Sequence, residues 1–337
     1  MSRFFKYPGF VLSILILLSA TPTTSLKRFY LTGPAQGTSY HITYYAHAEL
    51  LKRDVVDSLL ESVNNSLSLY KKGSLVNQWN SSKNGGKIDI HLQRVLHSAL
   101  DISGKTEGYF DITVLPLTSA WGFAPKGVTL LPDSNNIAAV LPCVGSNLLR
   151  LRKNKLHKKK ACVQLDTNGI AQGYTVDLLA EMLEMRGIKN YLVELGGEIR
   201  IKGKKYPTAE KMSIGIEAPS DDPLHPVLQR LIYPDSGGIT TSGNYRRFRE
   251  TADGRISHLF DPHTGYPVKN ELISVTVVAA DAMTADALDN ALMGMGLQRG
   301  MELVEADTTL AAFFIYQNAD GSVADSMSSR FKRLSIR

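Results

Sequence analysis

The segment SHLFDPHTGYP, residues 257–267, sets two histidines, an aspartate, a threonine, two prolines and a glycine in eleven positions with almost nothing to bury. Pro and Gly fix the backbone angles of such a turn, so the polar groups stand on a stiff loop, the kind of place where binding and catalytic residues concentrate. His258 is the candidate acid–base group, because imidazole titrates near neutrality. The plainer alternative is a polar connection that His258 orders by local hydrogen bonds.

Three other clusters carry chemistry-bearing side chains. In DTNGIAQGYTVD, residues 166–177, a strand hands over to a helix, whose first amides attract phosphate. Gly169 and Gly173 would let the backbone approach a ligand closely. The stretch is neither a P-loop nor a dinucleotide fingerprint, and a plain strand-to-helix turn also explains it. In DAMTADALDNAL, residues 281–292, Asp286 and Asn290 lie four apart and share one helix face. Two oxygen-bearing groups there suit a hard cation such as Mg²⁺. Capping by Asp281 or Thr284, with Asp286 complementing the helix dipole, is the alternative; it leaves unexplained why a polar pair interrupts an Ala- and Leu-rich helix. In GITTSGNY, residues 238–245, hydroxyls suited to phosphate or ribose end a strand, or a hairpin turns at Gly243-Asn244. Together the clusters point to a Mg²⁺-dependent site for a phosphate-containing ligand.

The elements that must position these groups follow from periodicity. Residues 29–45 read as a strand or hairpin, with Ala35-Gln36-Gly37-Thr38 as the turn. Leu51, Val55, Leu59 and Val63 recur at helical spacing. A second helix spans 91–103, with Leu92, Val95, Ala99 and Ile102 on one face and Gly104 as its stop. A short helix at 134–140 leads to a basic hairpin. Residues 161–165 read as a strand, 166–173 as a turn, 174–186 as a helix ended by Gly187, and 191–195 as a strand. Short strands follow through Ile214, Leu231, Ile239 and Val275, then a helix over 282–295 and strands at 311–316 and 331–336. Runs of strands with a few helices define an α+β chain with mixed or antiparallel sheets rather than a doubly wound one.

Bulk properties exclude some classes. A 43% hydrophobic and 21% charged composition belongs to a soluble globular chain. Net charge is +6, or +4 without Arg3 and Lys6, too mild to imply nucleic acid. Seven Lys or Arg crowd into RLRKNKLHKKK, residues 150–160, but no aromatic interleaves them, so a solvated hairpin is preferred over a phosphate or membrane patch. At the N-terminus, Arg3 and Lys6 precede an apolar run at 10–18 and then small and polar residues, the order of a secretory signal. An uncleaved membrane anchor is the alternative. Residues 1–25 are therefore set apart from one domain over 26–337, expected to work outside the cytoplasm. That address permits a disulfide between the only two cysteines, Cys143 and Cys162; sequence leaves open whether their geometry allows it.

The order and wording of these segments resemble the FAD:protein FMN transferase, or ApbE-type, family. Gly37-Thr38, SLYKKGSLVNQWN, GYFDITVLPLTSAWGF, DTNGIAQGYTVD, LVELGGEIRIKG, TTSGNYRRF, SHLFDPHTGYPV and ADALDNAL follow in family order from about residue 35 to 336. The resemblance implies a T-fold-like α+β architecture. It also implies an enzyme that binds FAD with Mg²⁺, transfers the FMN half to a Thr or Ser hydroxyl, and releases AMP. Its partners would be extracytoplasmic domains of flavinylated redox proteins, such as subunits of ion-pumping oxidoreductases.

Carried over by position, the resemblance assigns the metal to the backbone oxygen of Ala171 and the side chains of Asp286 and Asn290. It assigns flavin and nucleotide contacts to Gln36, Tyr70, Tyr109, Phe110, Asp111, Gln172, Thr241 and Ser242. His258 matches a histidine that assists the attacking hydroxyl. The chain departs from the pattern at Asn290, where a Thr ligand is usual, at Gln172, where many members carry Lys, and at Gln36, where Met is common. A Mg²⁺-dependent FAD pyrophosphatase and a flavin-binding protein without turnover are the competing readings.

Overall fold

The structure, a computed structural model, describes residues 25–336 apart from 126, 128–129, 220–226, 246–247 and 252–253. The targeting segment expected over the first 25 residues thus lies almost wholly outside the described residues.

Strands β1 (Lys27–Ala35) and β2 (Thr38–Ala46) pair in register from Lys27↔Ala46 to Ala35↔Thr38. Gln36 and Gly37 both take positive φ, 49° and 82°, as a two-residue hairpin turn requires. Helix α1 (Arg53–Leu67) buries Val56, Leu60, Val63 and Leu67. Its stripe is shifted from the expected one: Leu51 precedes the helix, so spacing counted from it places exposed Val55 on the wrong face.

Helix α2 (Leu75–Ser81) and strand β3 (Gly85–Lys87) lead to α3 (Ile90–Lys105), which buries Leu92, Val95, Ala99 and Ile102 as expected. Gly104 does not stop α3, which closes at Thr106 when its N–H reaches the Ile102 carbonyl. Short helices α4 (Leu115–Ala120) and α5 (Ser134–Val140) come next, the latter opened by a reciprocal Asp133–Asn136 cap. The basic run is a hairpin, β4 (Leu149–Arg152) with β5 (Lys155–Lys158), and β3 pairs with β5. Cys143 and Cys162 are disulfide-bonded just outside it.

Residues 161–165 form no strand. The side chain of buried Asn80 accepts from Leu165 N–H at 2.7 Å and donates to its carbonyl at 3.0 Å. One amide side chain satisfies the backbone that a ladder would otherwise have to pair.

Helix α6 (Ala171–Met185) starts three residues earlier than expected, and Gly187 follows at φ 76°. The strands β6 (Tyr191–Leu195), β7 (Glu198–Lys202), β8 (Ile214–Glu217), β9 (Leu228–Ile232), β10 (Ser236–Gly243), β11 (Phe248–Thr251), β12 (Gly254–Ser257) and β13 (Leu272–Ala279) precede α7 (Ala282–Met295) and α8 (Leu297–Ala306). Strands β14 (Ala311–Gln317) and β15 (Val323–Met327) and helix α9 (Ser329–Leu334) end the chain. The expected strand at 331–336 is mostly helix, because Ser328 caps it by accepting from Phe331 N–H and Phe331 stacks on Phe313.

Eight strands form one antiparallel sheet in the order β1-β2-β6-β7-β10-β13-β14-β15, so the α+β expectation holds. Alternation along β14 divides the core. Ala312 and Phe314 join the apolar cluster of α3 and α7, whereas Phe313 and Ile315 join that of β8, β9 and α9. Among the described residues no helix is long and apolar enough to cross a membrane.

Candidate functional site

Helices α6 and α7 meet at Gly173. A Cβ there would lie 2.3 Å from the Ala282 carbonyl oxygen and 2.8 Å from the Asp286 Cβ, so only glycine allows the approach. The sequence reading gave Gly173 to a ligand; its close contact is with α7. The contact lets the Gly173 N–H donate to Asp286 Oδ2 at 2.9 Å, which aims the carboxylate at the start of α6.

Buried Asp286 stands beside buried Asp289. Burial, then the charge of Glu198, pushes the Asp286 carboxyl well above the usual carboxylate range. Burial, then Asp286, does the same to Asp289. Asn290 donates to the Asp286 carbonyl at 2.7 Å and to Asp289 Oδ1 at 3.0 Å, while its side-chain oxygen accepts from Ser242 Oγ at 3.2 Å. Crowded buried carboxylates beside an amide oxygen are a hard-oxygen donor set that a divalent cation would neutralise. Among the described residues no three His, Cys, Asp or Glu side chains group as metal ligands; the set here mixes carboxylate, amide and carbonyl oxygens.

Ala171, the expected carbonyl donor, is held by a relay. Gln36 Nε2 donates to Thr175 Oγ1 at 2.8 Å, and Thr175 donates to the Ala171 carbonyl at 2.6 Å. Gln36 thus reaches the turn of α6 from the first hairpin.

A cavity of about 900 Å³ opens over these groups. Gln36, Tyr70, Tyr109, Phe110, Asp111, Gln172, Thr241, Ser242, His258, Asp286 and Asn290 all line it; Ala171 is not among its lining residues. Tyr70 is 60% exposed at the rim, whereas Phe110 is buried in the wall. His258 is half-buried.

Two of these side chains are occupied within the protein. Asp111 accepts from Thr113 N–H, Thr113 Oγ1 and Ser146 N–H at 2.8, 2.5 and 2.6 Å, so it organises its loop. The Thr241 hydroxyl pairs with Thr276 at 2.9 Å, on the face of the sheet opposite the neighbouring Ser242.

The cavity also gathers residues that sequence reasoning missed: Asp289, Glu198 and Arg249. Asp289 had a signal, since it stands three residues after Asp286 on the same helix. Arg249 donates to the Trp121 carbonyl at 3.0 Å. It brings a cation from a strand whose sequence gives no hint of the site.

The fold has close counterparts among known proteins. The chain belongs to the ApbE family, whose model matches residues 36–314. It is 36% identical to a FAD:protein FMN transferase of Vibrio cholerae serotype O1, over 94% of this chain and 96% of that relative. It is 33% identical to one of Haemophilus influenzae, over 97% of each. Among solved structures, the flavin transferase ApbE from Vibrio cholerae superimposes with a TM-score of 0.81 at 35% identity, covering 92% of this chain and 99% of that one. The apo flavinyl transferase ApbE of Pseudomonas stutzeri gives 0.83 at 31% identity, covering 94% and 99%.

Proposed function

We propose that this chain is a FAD:protein FMN transferase that uses Mg²⁺ and works outside the cytoplasm. The observation that carries the reading is the buried Asp286–Asp289 pair with half-buried Asn290 lining a nucleotide-sized cavity, in a chain that matches flavin transferases along nearly its whole length. The Cys143–Cys162 bond and the signal-like N-terminus favour an oxidising compartment. The acceptor is a Thr or Ser hydroxyl on an extracytoplasmic domain of a redox protein.

Asp286, the Asn290 amide oxygen and the Ala171 carbonyl would hold Mg²⁺. When bound, the ion neutralises the diphosphate and the charge gathering on the departing AMP. Tyr70, Tyr109 and Phe110 offer aromatic faces to the isoalloxazine ring. Gln172 offers a neutral donor to the phosphates, Ser242 orients the Asn290 amide by donating to its oxygen, and Arg249 adds a cation. His258 takes the proton of the acceptor hydroxyl as the new O–P bond forms and the bond to the AMP oxygen breaks, a contribution of about 10²- to 10⁴-fold.

Product analysis tests the reading. With FAD, Mg²⁺ and an acceptor domain, AMP should appear in step with flavin bound to the acceptor. Free FMN with AMP and an unmodified acceptor would make the chain a pyrophosphatase, and no product at all would make it a binding protein.

A further inference from the structure

His263 lies outside the residues assigned above, on the same loop as His258, and both of its ring nitrogens face acceptors. Nδ1 lies 2.8 Å from Asp261 Oδ1, and Nε2 lies 2.9 Å from the backbone carbonyl of Glu107. Neither a carboxylate nor a carbonyl has a hydrogen to give. A neutral imidazole donates from one nitrogen only, so the two bonds together demand the doubly protonated ring.

The ring also meets Tyr109 edge-on, with centroids 4.8 Å apart. From α8, Arg299 donates to the Tyr109 hydroxyl at 2.8 Å, lies 4.9 Å from its ring centroid, and pairs with Glu107 at 2.8 Å. Tyr109 is thereby gripped from two elements, and it walls both the site cavity and a neighbouring one of about 950 Å³.

We propose that the imidazolium of His263 is a positioning strut, which holds Tyr109 and the loop bearing His258 in register for flavin binding. The inference rests on the transferase reading for its consequence but not for its geometry. The charged and titratable groups facing the ring are Asp261 on its own loop, Glu107 and Tyr109 after α3, and Arg299 on α8. Burial works to lower the His263 pKa and Arg299 adds to that, but the Asp261 and Glu107 hydrogen bonds outweigh them and leave it raised. Loss of the proton breaks one of the two bonds, and Tyr109 then loses its fixed neighbour.

The test is an NMR titration of ¹³C-labelled histidine in the full chain, with the His263 signal assigned by its absence in His263→Gln. FAD affinity is followed by flavin fluorescence over about pH 5 to 9. The expected midpoint lies above 6.5, and affinity should fall roughly 3- to 10-fold as pH rises through it, the loss of one hydrogen bond. His263→Gln should show the weaker affinity throughout with that inflection gone, and Asp261→Asn should move the midpoint down. A midpoint at or below 6.5, or an inflection that survives in His263→Gln, would overturn the strut. The titration is read without FAD, so a chain that bound no FAD would sink the transferase reading and leave the midpoints to decide the strut.

Discussion

The carboxylate of Asp177, on α6, caps α7 at Ala282: Oδ1 accepts the Ala282 N–H at 2.9 Å, and Oδ2 accepts the next amide, Met283, at 2.8 Å. One side chain thus fixes the two helices that frame the site. Burial pushes its carboxyl up to about 7, against the opposing pull of the Ala282 hydrogen bond. The folded chain therefore keeps a proton that the unfolded chain releases near pH 4. The stability this group contributes is full below about pH 4 and is lost as pH rises to about 7, a change on the order of a few kcal/mol. Urea denaturation of Asp177→Asn should lack that decline. Parallel pH curves for the variant and the wild type would refute it.

Gly173→Ala should cost about 1 to 3 kcal/mol, because its methyl group meets the Ala282 carbonyl and must part α6 from α7. FMN transfer should fall with it, since Asp286 loses the amide that aims it. Denaturation midpoints and turnover measured together check this, and unchanged values for both would show that the helix contact does not govern the site.

Asp286→Asn keeps the shape of the side chain and an oxygen for the Gly173 N–H, and it removes a buried ionisable group. Folding stability should hold or rise, while transfer falls by roughly 10²- to 10³-fold, as when a stabiliser of transition-state charge is removed. Full turnover in the variant would take Asp286 out of the metal set.

His258→Ala should lose about 10²- to 10⁴-fold in transfer rate and keep its affinity for FAD, because the group acts on the acceptor hydroxyl. Rate and affinity are measured separately. Wild-type turnover would leave this histidine an ordering role only.

Much of this was legible in the sequence because the signals were local. The stripe of α3 from Leu92 to Ile102, the hairpin turn at Gln36-Gly37, and Asp286 with Asn290 on one helix each depend on neighbours within a few residues. What escaped depends on distant partners. Asn80 replaces a strand partner for Leu165 across 85 residues. Helix α8 was hidden by Gly300, which looks like a breaker but leaves room for the Phe314 ring, 3.1 Å from where its Cβ would stand. Strand β15 lies at the sheet edge, and its adjacent Asp325 and Ser326 break the alternation of its apolar residues. Arg249 and Glu198 enter the cavity from strands whose own patterns say nothing of it, and only the assembled sheet brings them there.

The most direct test of the central claim is the mass of an acceptor domain after incubation with this protein, FAD and Mg²⁺. The acceptor should gain the mass of one FMN residue on a Thr or Ser, and EDTA should abolish the gain. An unmodified acceptor, or a gain that persists in EDTA, would contradict divalent-cation-dependent flavin transfer by this site.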